Sequence, residues 1–168
     1  MKVAVVTVAV IALCAATLAC TQGARGAAPE ANAGIDALNA RIVDAYRKHD
    51  PVAYGKLFTD SALFEWPAFN TVRGPAALSA MARDNWSSLR DMDLALIVAS
   101  RGFANDHATE FGAFAQSWND SAGTRMTEYG RYVAVLVPQK DGSWRMDRFF
   151  GFEDSTRAAP RPPLTAQR

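Results

Sequence analysis

Histidine and cysteine are nearly missing from this chain. Its 168 residues hold two histidines, His49 and His107, and two cysteines, Cys14 and Cys20, both near the N-terminus. A zinc centre, a cysteine nucleophile or a serine–histidine–aspartate relay needs residues that the rest of the chain scarcely has. Charge of one sign is missing too. Apart from Lys2 the chain carries as many basic as acidic residues, and no basic stripe stands out, so nucleic acid is not an expected partner. Internal repeats, heptads and phosphate-cradling glycine loops are absent, and neither a cofactor nor a metal is expected. What is present is apolar: 49% hydrophobic against 21% charged residues suits a globular domain with a sizeable core.

The N-terminus reads as an address. Lys2 precedes the uncharged run Val3 to Leu18, which has the shape of an export signal. Thr17-Leu18-Ala19-Cys20 resembles the bacterial lipobox, with Thr17 standing where leucine is usual. Cys20 is therefore the candidate lipidation site, and the alternative is plain signal-peptide cleavage near Ala28. Either way the expected location is extracytoplasmic: a periplasmic or membrane-anchored lipoprotein, or else a secreted protein. Membrane contact is expected only through Cys20. The expected organisation is a signal over 1–20, a flexible linker over 21–33, a domain over 34–154 and a disordered Pro-rich tail over 155–168.

Within the domain, Ile35, Leu38, Ile42 and Tyr46 recur at helical spacing and predict a helix to Lys48. Asp50-Pro51 reads as an N-cap and first turn of a second, short helix reaching about Phe58. His49, at a helix end among charged neighbours, reads as a solvated capping residue rather than a base. Ser61 to Trp66 reads as a strand, and Gly74-Pro75 opens a third helix. From Asp91 the period becomes two, with Met92, Leu94, Leu96 and Val98 on one face. Turn signals at 102–106, at 119–123 and at Asp141-Gly142 separate four long antiparallel strands. The predicted class is α+β, with three N-terminal helices packed on a strongly curved, mostly antiparallel sheet. On the last strand, period two puts Trp144, Met146, Arg148, Phe150 and Phe152 on one face.

Leu57 to Pro67, Arg73-Gly74-Pro75, Gly130-Arg131-Tyr132 and Asp141 to Arg145 together resemble the nuclear transport factor 2-like superfamily, in its polyketide-cyclase-like (SnoaL-like) and ketosteroid-isomerase-like branch. The resemblance covers residues 34–154. It implies a cone whose helices close over a curved sheet and leave a blind apolar pocket, in a homodimer. It does not bring the isomerase chemistry with it. Trp66 stands at the position of the isomerases' general base, Ile42 matches their tyrosine, and Ala134 matches their protonated acid.

If that pocket exists, alternation predicts its lining. Phe64 and Trp66 come from the first strand, Phe114 and Gln116 from the third, Tyr132 and Leu136 from the fourth, and Met146, Arg148 and Phe150 from the last. Ile42, Tyr46 and Trp86 come from the helices. The alternative is that the rings fill the cone as a solid core. Arg148 either binds an anionic or carbonyl-bearing ligand or pairs with Glu65, Glu110 or Asp147. Tyr132 is a second candidate, as a donor to a ligand carbonyl, while alternation turns Glu65 away from the pocket. The expected function is an exported domain that binds a small apolar or amphipathic molecule. Two alternatives stand beside it: a cofactor-free lyase, isomerase or hydrolase using Tyr132 and Arg148, and a homodimeric protein-interaction module.

Overall fold

The computed structural model of the chain describes residues 19–67 and 70–157, without the side chains of 19–28 and 157. The readings on 1–18 and 158–168, and the lipidation reading on the Cys20 side chain, lie outside what is described. The chain divides into two units, Met1–Ala33 and Gly34–Arg168, and the second carries the fold. Helix α1 runs over Ala19–Arg47. Residues 21–33, expected as a flexible linker, are thus helical, in keeping with the alanines that recur along them.

From Gly34 onward α1 buries Ile35, Leu38, Ile42, Ala45 and Tyr46, the stripe that its periodicity predicts. Its end is closed by His49, whose φ of 52° is left-handed. The N–H of His49 donates to the Tyr46 carbonyl at 3.1 Å and that of Asp50 to Ala45 at 2.9 Å, the paired bonds of a left-handed helix cap. Asp50 then caps α2 (Pro51–Gly55), accepting from the N–H of Ala53 at 2.8 Å. This helix stops at Gly55, earlier than expected, and the chain there presses against α3. A Cβ at Gly55 would lie 2.1 Å from the Ser79 hydroxyl. Phe58 is therefore not a helix end but the first residue of β1.

The described strands are β1 (Phe58–Glu65), β2 (Val72–Arg73), β3 (Arg90–Phe103), β4 (Ala108–Asn119), β5 (Arg125–Pro138) and β6 (Trp144–Arg157); α3 (Gly74–Trp86) follows β2. They form one six-stranded sheet in the order β2-β1-β6-β5-β4-β3. Every neighbouring pair is antiparallel except β1 with β6. This is the expected α+β architecture, a curved sheet with the helices N-terminal to it. Strand β6 runs on to Arg157, so the first residues of the expected tail belong to the sheet. Asp141-Gly142 forms the predicted turn, with Gly142 at a φ of 80° and Gln139 bonded to Ser143 at 2.8 Å.

Two of the sheet's register shifts bear on the expected faces. On β6, Leu136 pairs with Met146 but Val135 pairs with Arg148, so Asp147 is an extra residue. The alternation restarts one step out of phase beyond it. Phe149 and Gly151 turn toward the helices, while Arg148, Phe150 and Phe152 turn away. Phe150 and Phe152 are 38% and 49% exposed, which overturns their expected place on the inner face. On β3 the register shifts between Val98 and Ser100, and Arg101 comes to lie opposite Glu110 on the inner face.

Candidate functional site

The inner face of the sheet and helices α1, α2 and α3 line a cavity of about 300 Å3 that opens to the outside. That volume lies at the lower end of the range for small-molecule sites, and most of the wall is apolar. The cone is therefore hollow, not filled. One wall is a set of nearly parallel rings. Phe149 stacks with Phe64 at 5.0 Å between centroids, with Tyr132 at 5.8 Å and with Trp66 at 6.4 Å. Across from it, Trp86 meets Tyr46 and Tyr54 edge to face, at 5.4 and 5.3 Å.

Three strand glycines make room for these rings. A Cβ at Gly112 would lie 2.5 Å from the Tyr132 ring, one at Gly130 2.4 Å from Phe114, and one at Gly151 2.2 Å from Trp66. Each ring thus lies flat over a neighbouring strand instead of standing off it. The backbone under the wall is bare so that the wall can be aromatic.

Two carboxyl groups, those of Glu128 and Glu153, break the apolar surface. Glu128, on β5, lines the cavity and is 9% exposed. The Gln116 side-chain amide donates to its Oε1 at 3.0 Å. Burial, reinforced by the charge of Glu153, raises its pKa from 4.5 to about 7, against the smaller opposing effect of the Gln116 bond. Glu153 also lines the cavity, and its carboxylate accepts from the Thr156 hydroxyl. Tyr46 lies near enough for the Glu128 charge to act on it; burial first, and that charge second, push its hydroxyl well above its ordinary pKa.

A third carboxylate, Glu110 on β4, lies behind the wall, fully buried and fully engaged. Arg101 Nε donates to Oε2 at 2.6 Å and the Tyr132 hydroxyl to Oε1 at 2.8 Å. The amide of Asn39, on α1, donates to both oxygens at 3.0 and 3.1 Å. Arg101 also pairs with Asp36 at 2.6 Å. Opposite charge and three donor groups make this buried carboxylate tolerable. Asn39 itself lines the cavity.

Of the sequence-predicted lining, Ile42, Tyr46, Phe64, Trp66, Trp86, Phe114, Gln116, Tyr132 and Met146 surround the cavity. Leu136 does not; it is packed into the core beyond it. Arg148 and Phe150 do not either, because the extra residue at Asp147 reverses their direction. Arg148 Nη1 instead donates to Asp147 Oδ2 at 2.5 Å and to the Ser61 carbonyl at 3.1 Å, so its structural alternative holds. Tyr132 is on the wall, but its hydroxyl proton is committed to Glu110 and not to a ligand. Glu65 accepts from the Thr71 hydroxyl at 2.8 Å, away from the cavity. Sequence reasoning missed Asn39, Tyr54, Phe149, Glu128 and Glu153. Glu128 was within reach, since it shares parity with Tyr132 and pairs with Gln116. Among the described residues, no three His, Cys, Asp or Glu side chains gather so as to hold a metal ion.

No curated protein matches the chain. Solved structures do. A type 2 hexachlorocyclohexane dehydrochlorinase superposes with a TM-score of 0.68 at 15% identity, over 76% of this chain and 87% of that one. A ketosteroid isomerase-like protein from Erwinia carotovora atroseptica SCRI1043 gives 0.65 at 19%, over 73% and 95%. A nuclear transport factor 2-like superfamily protein from Salmonella enterica serovar Typhimurium LT2 gives 0.64 at 17%, over 72% and 89%. Identities this low show a shared fold and nothing finer. The SnoaL-like domain family matches residues 28–149, most of the chain, so with the cone, the curved sheet and the cavity in place the chain belongs to the SnoaL-like domain family.

Proposed function

We propose that the domain takes a small, largely apolar molecule into the cavity and removes a proton from one of its carbons, with Glu128 as the base. One observation carries this reading: a carboxyl group with a pKa of about 7 set in an aromatic cavity. A base works best when its pKa lies near the operating pH, and clefts are where burial and like charge bring this about. The reaction class is lyase or isomerase. Support comes also from the neighbours' names, a dehydrochlorinase and an isomerase-like protein, in a family that includes enzymes. The expected alternative base-and-donor pair of Tyr132 and Arg148 gains no support, since one is committed to Glu110 and the other faces away.

A second reading, binding without turnover, is favoured by the residues at the isomerase positions: Trp66, Ile42 and Ala134 carry no acid or base. The two separate in one assay. 5-Nitrobenzisoxazole is a compact aromatic carbon acid whose C–H proton passes to a base as its N–O bond opens to a cyanophenolate. Ring opening is expected in the protein, rising with pH through a midpoint near 7, and lost by at least tenfold in Glu128→Gln. Binding of the probe without ring opening, or a rate unchanged in Glu128→Gln, leaves the binding reading in its place.

A further inference from the structure

The amide of Asn39 is held in one orientation by its neighbour. A carboxylate accepts hydrogen bonds and donates none, so only the NH2 end of Asn39 can face Glu110. Both Glu110 oxygens take that NH2 group, at 3.0 and 3.1 Å. Arg101 and Tyr132 hold Glu110 itself in place from two other directions. The remaining end of the amide, Oδ1, is buried and has no hydrogen-bond partner. Asn39 is 8% exposed and lines the cavity. A buried acceptor with no partner is rare in folded proteins and carries a cost that a donor would relieve.

We infer that Asn39 Oδ1 is a specificity element: it selects ligands that bring a hydroxyl or N–H group to that end of the cavity. The inference deepens the proposed function, and rests on it, by giving the substrate a second mark. From Tyr132, beside Asn39's partner, back to Glu128 along β5 is about 13 Å at the rise of a strand. The substrate class is therefore an apolar ring system with a donor group at one end and the acidic C–H at the other. Ether, halide or plain hydrocarbon analogues lack the donor and leave Oδ1 without a partner. Discrimination of this kind is stronger than that from shape alone, because the wrong ligand strands a buried polar atom.

Equilibrium dialysis with 2-naphthol and 2-methoxynaphthalene tests this. The parent protein is expected to bind the naphthol about five- to tenfold more tightly. Asn39→Leu is expected to remove that preference while keeping affinity for the ether. Glu110→Gln, which can present its own NH2 to Asn39 and so turn the amide round, is expected to weaken the preference as well. If the leucine variant does not fold, the parent protein's two affinities decide alone. Equal affinities for the two probes overturn the role of Asn39 while leaving the Glu128 assay standing. Binding of neither probe overturns both, since the cavity would then not receive a small ring system.

Discussion

Glu128 shows how one side chain can be both the best lead to function and a burden on stability. Its folded pKa of about 7 lies above the ordinary 4.5, so the folded protein holds this proton more tightly than the unfolded chain does. The stabilising contribution is full below about pH 4.5 and is lost as the pH rises through about 7. Replacing the carboxyl by an amide removes the loss. Glu128→Gln is expected to match the parent at pH 4 and to be more stable at pH 8 by about 1–2 kcal/mol, once solvent screening is allowed for. Chemical denaturation at the two pH values checks this; a variant less stable than the parent at pH 8 contradicts it. Activity and stability would then move in opposite directions at one position, as expected of a residue kept for chemistry. Its neighbourhood was not legible from sequence, because the β5 pattern was read from Gly130 onward. Extending that alternation one step back reaches Glu128, but nothing in the pattern tells a buried glutamate from a solvated one. That distinction comes from Gln116 on the next strand and Glu153 on the one beyond.

Among the elements, those defined by local chemistry were the legible ones. Asp50-Pro51, Gly74-Pro75 and Asp141-Gly142 each mark a turn or a helix start that the structure contains, because caps and positive-φ glycines act within a few residues. Strand faces failed where period two did. It holds from Trp144 to Met146 and breaks at Asp147, and the composition of β6 does not mark the break. Arg148 and Phe150 were lost to the site for this reason alone, and Phe149 was gained. The glycines beneath the rings carry a prediction at this scale. Gly151→Ala places a methyl 2.2 Å from Trp66, against a ring clamped between Phe64, Phe149 and Phe114. It is expected to cost about 1–3 kcal/mol and to shrink the cavity at that wall. Thermal unfolding together with the 2-naphthol affinity reads both effects; a variant with unchanged melting and unchanged binding shows that Trp66 is free to move.

For the whole molecule, the order of elements was legible and the hollow was not. A count of tryptophans and phenylalanines says how much volume the rings occupy but not how they lie. Flat stacking over bare glycine backbone leaves a space of about 300 Å3 that upright rings would have closed. Among the described residues no helix is long and apolar enough to cross a membrane. Export and anchoring are proposals that rest on residues 1–20 alone. Cys20→Ala is expected to shift the protein from the membrane to the soluble fraction, read by fractionation of cells making each form. A parent protein found wholly in the soluble fraction removes the anchor, whatever the cavity does.

The extra residue at Asp147 has a last implication, for how such a cavity can change over generations. Deleting that codon would only remove the bulge, with Arg148 still opposite Val135 and Phe149 still facing inward. Drawing Asp147 into the ladder as a paired residue would instead slide the remainder of β6 by one place, turning Arg148, Phe150 and Phe152 inward and Phe149 outward. A cationic lining would then replace part of an aromatic one through a change of pairing alone, with no side chain rewritten. In a domain built this way, new ligand preferences lie one register slip apart.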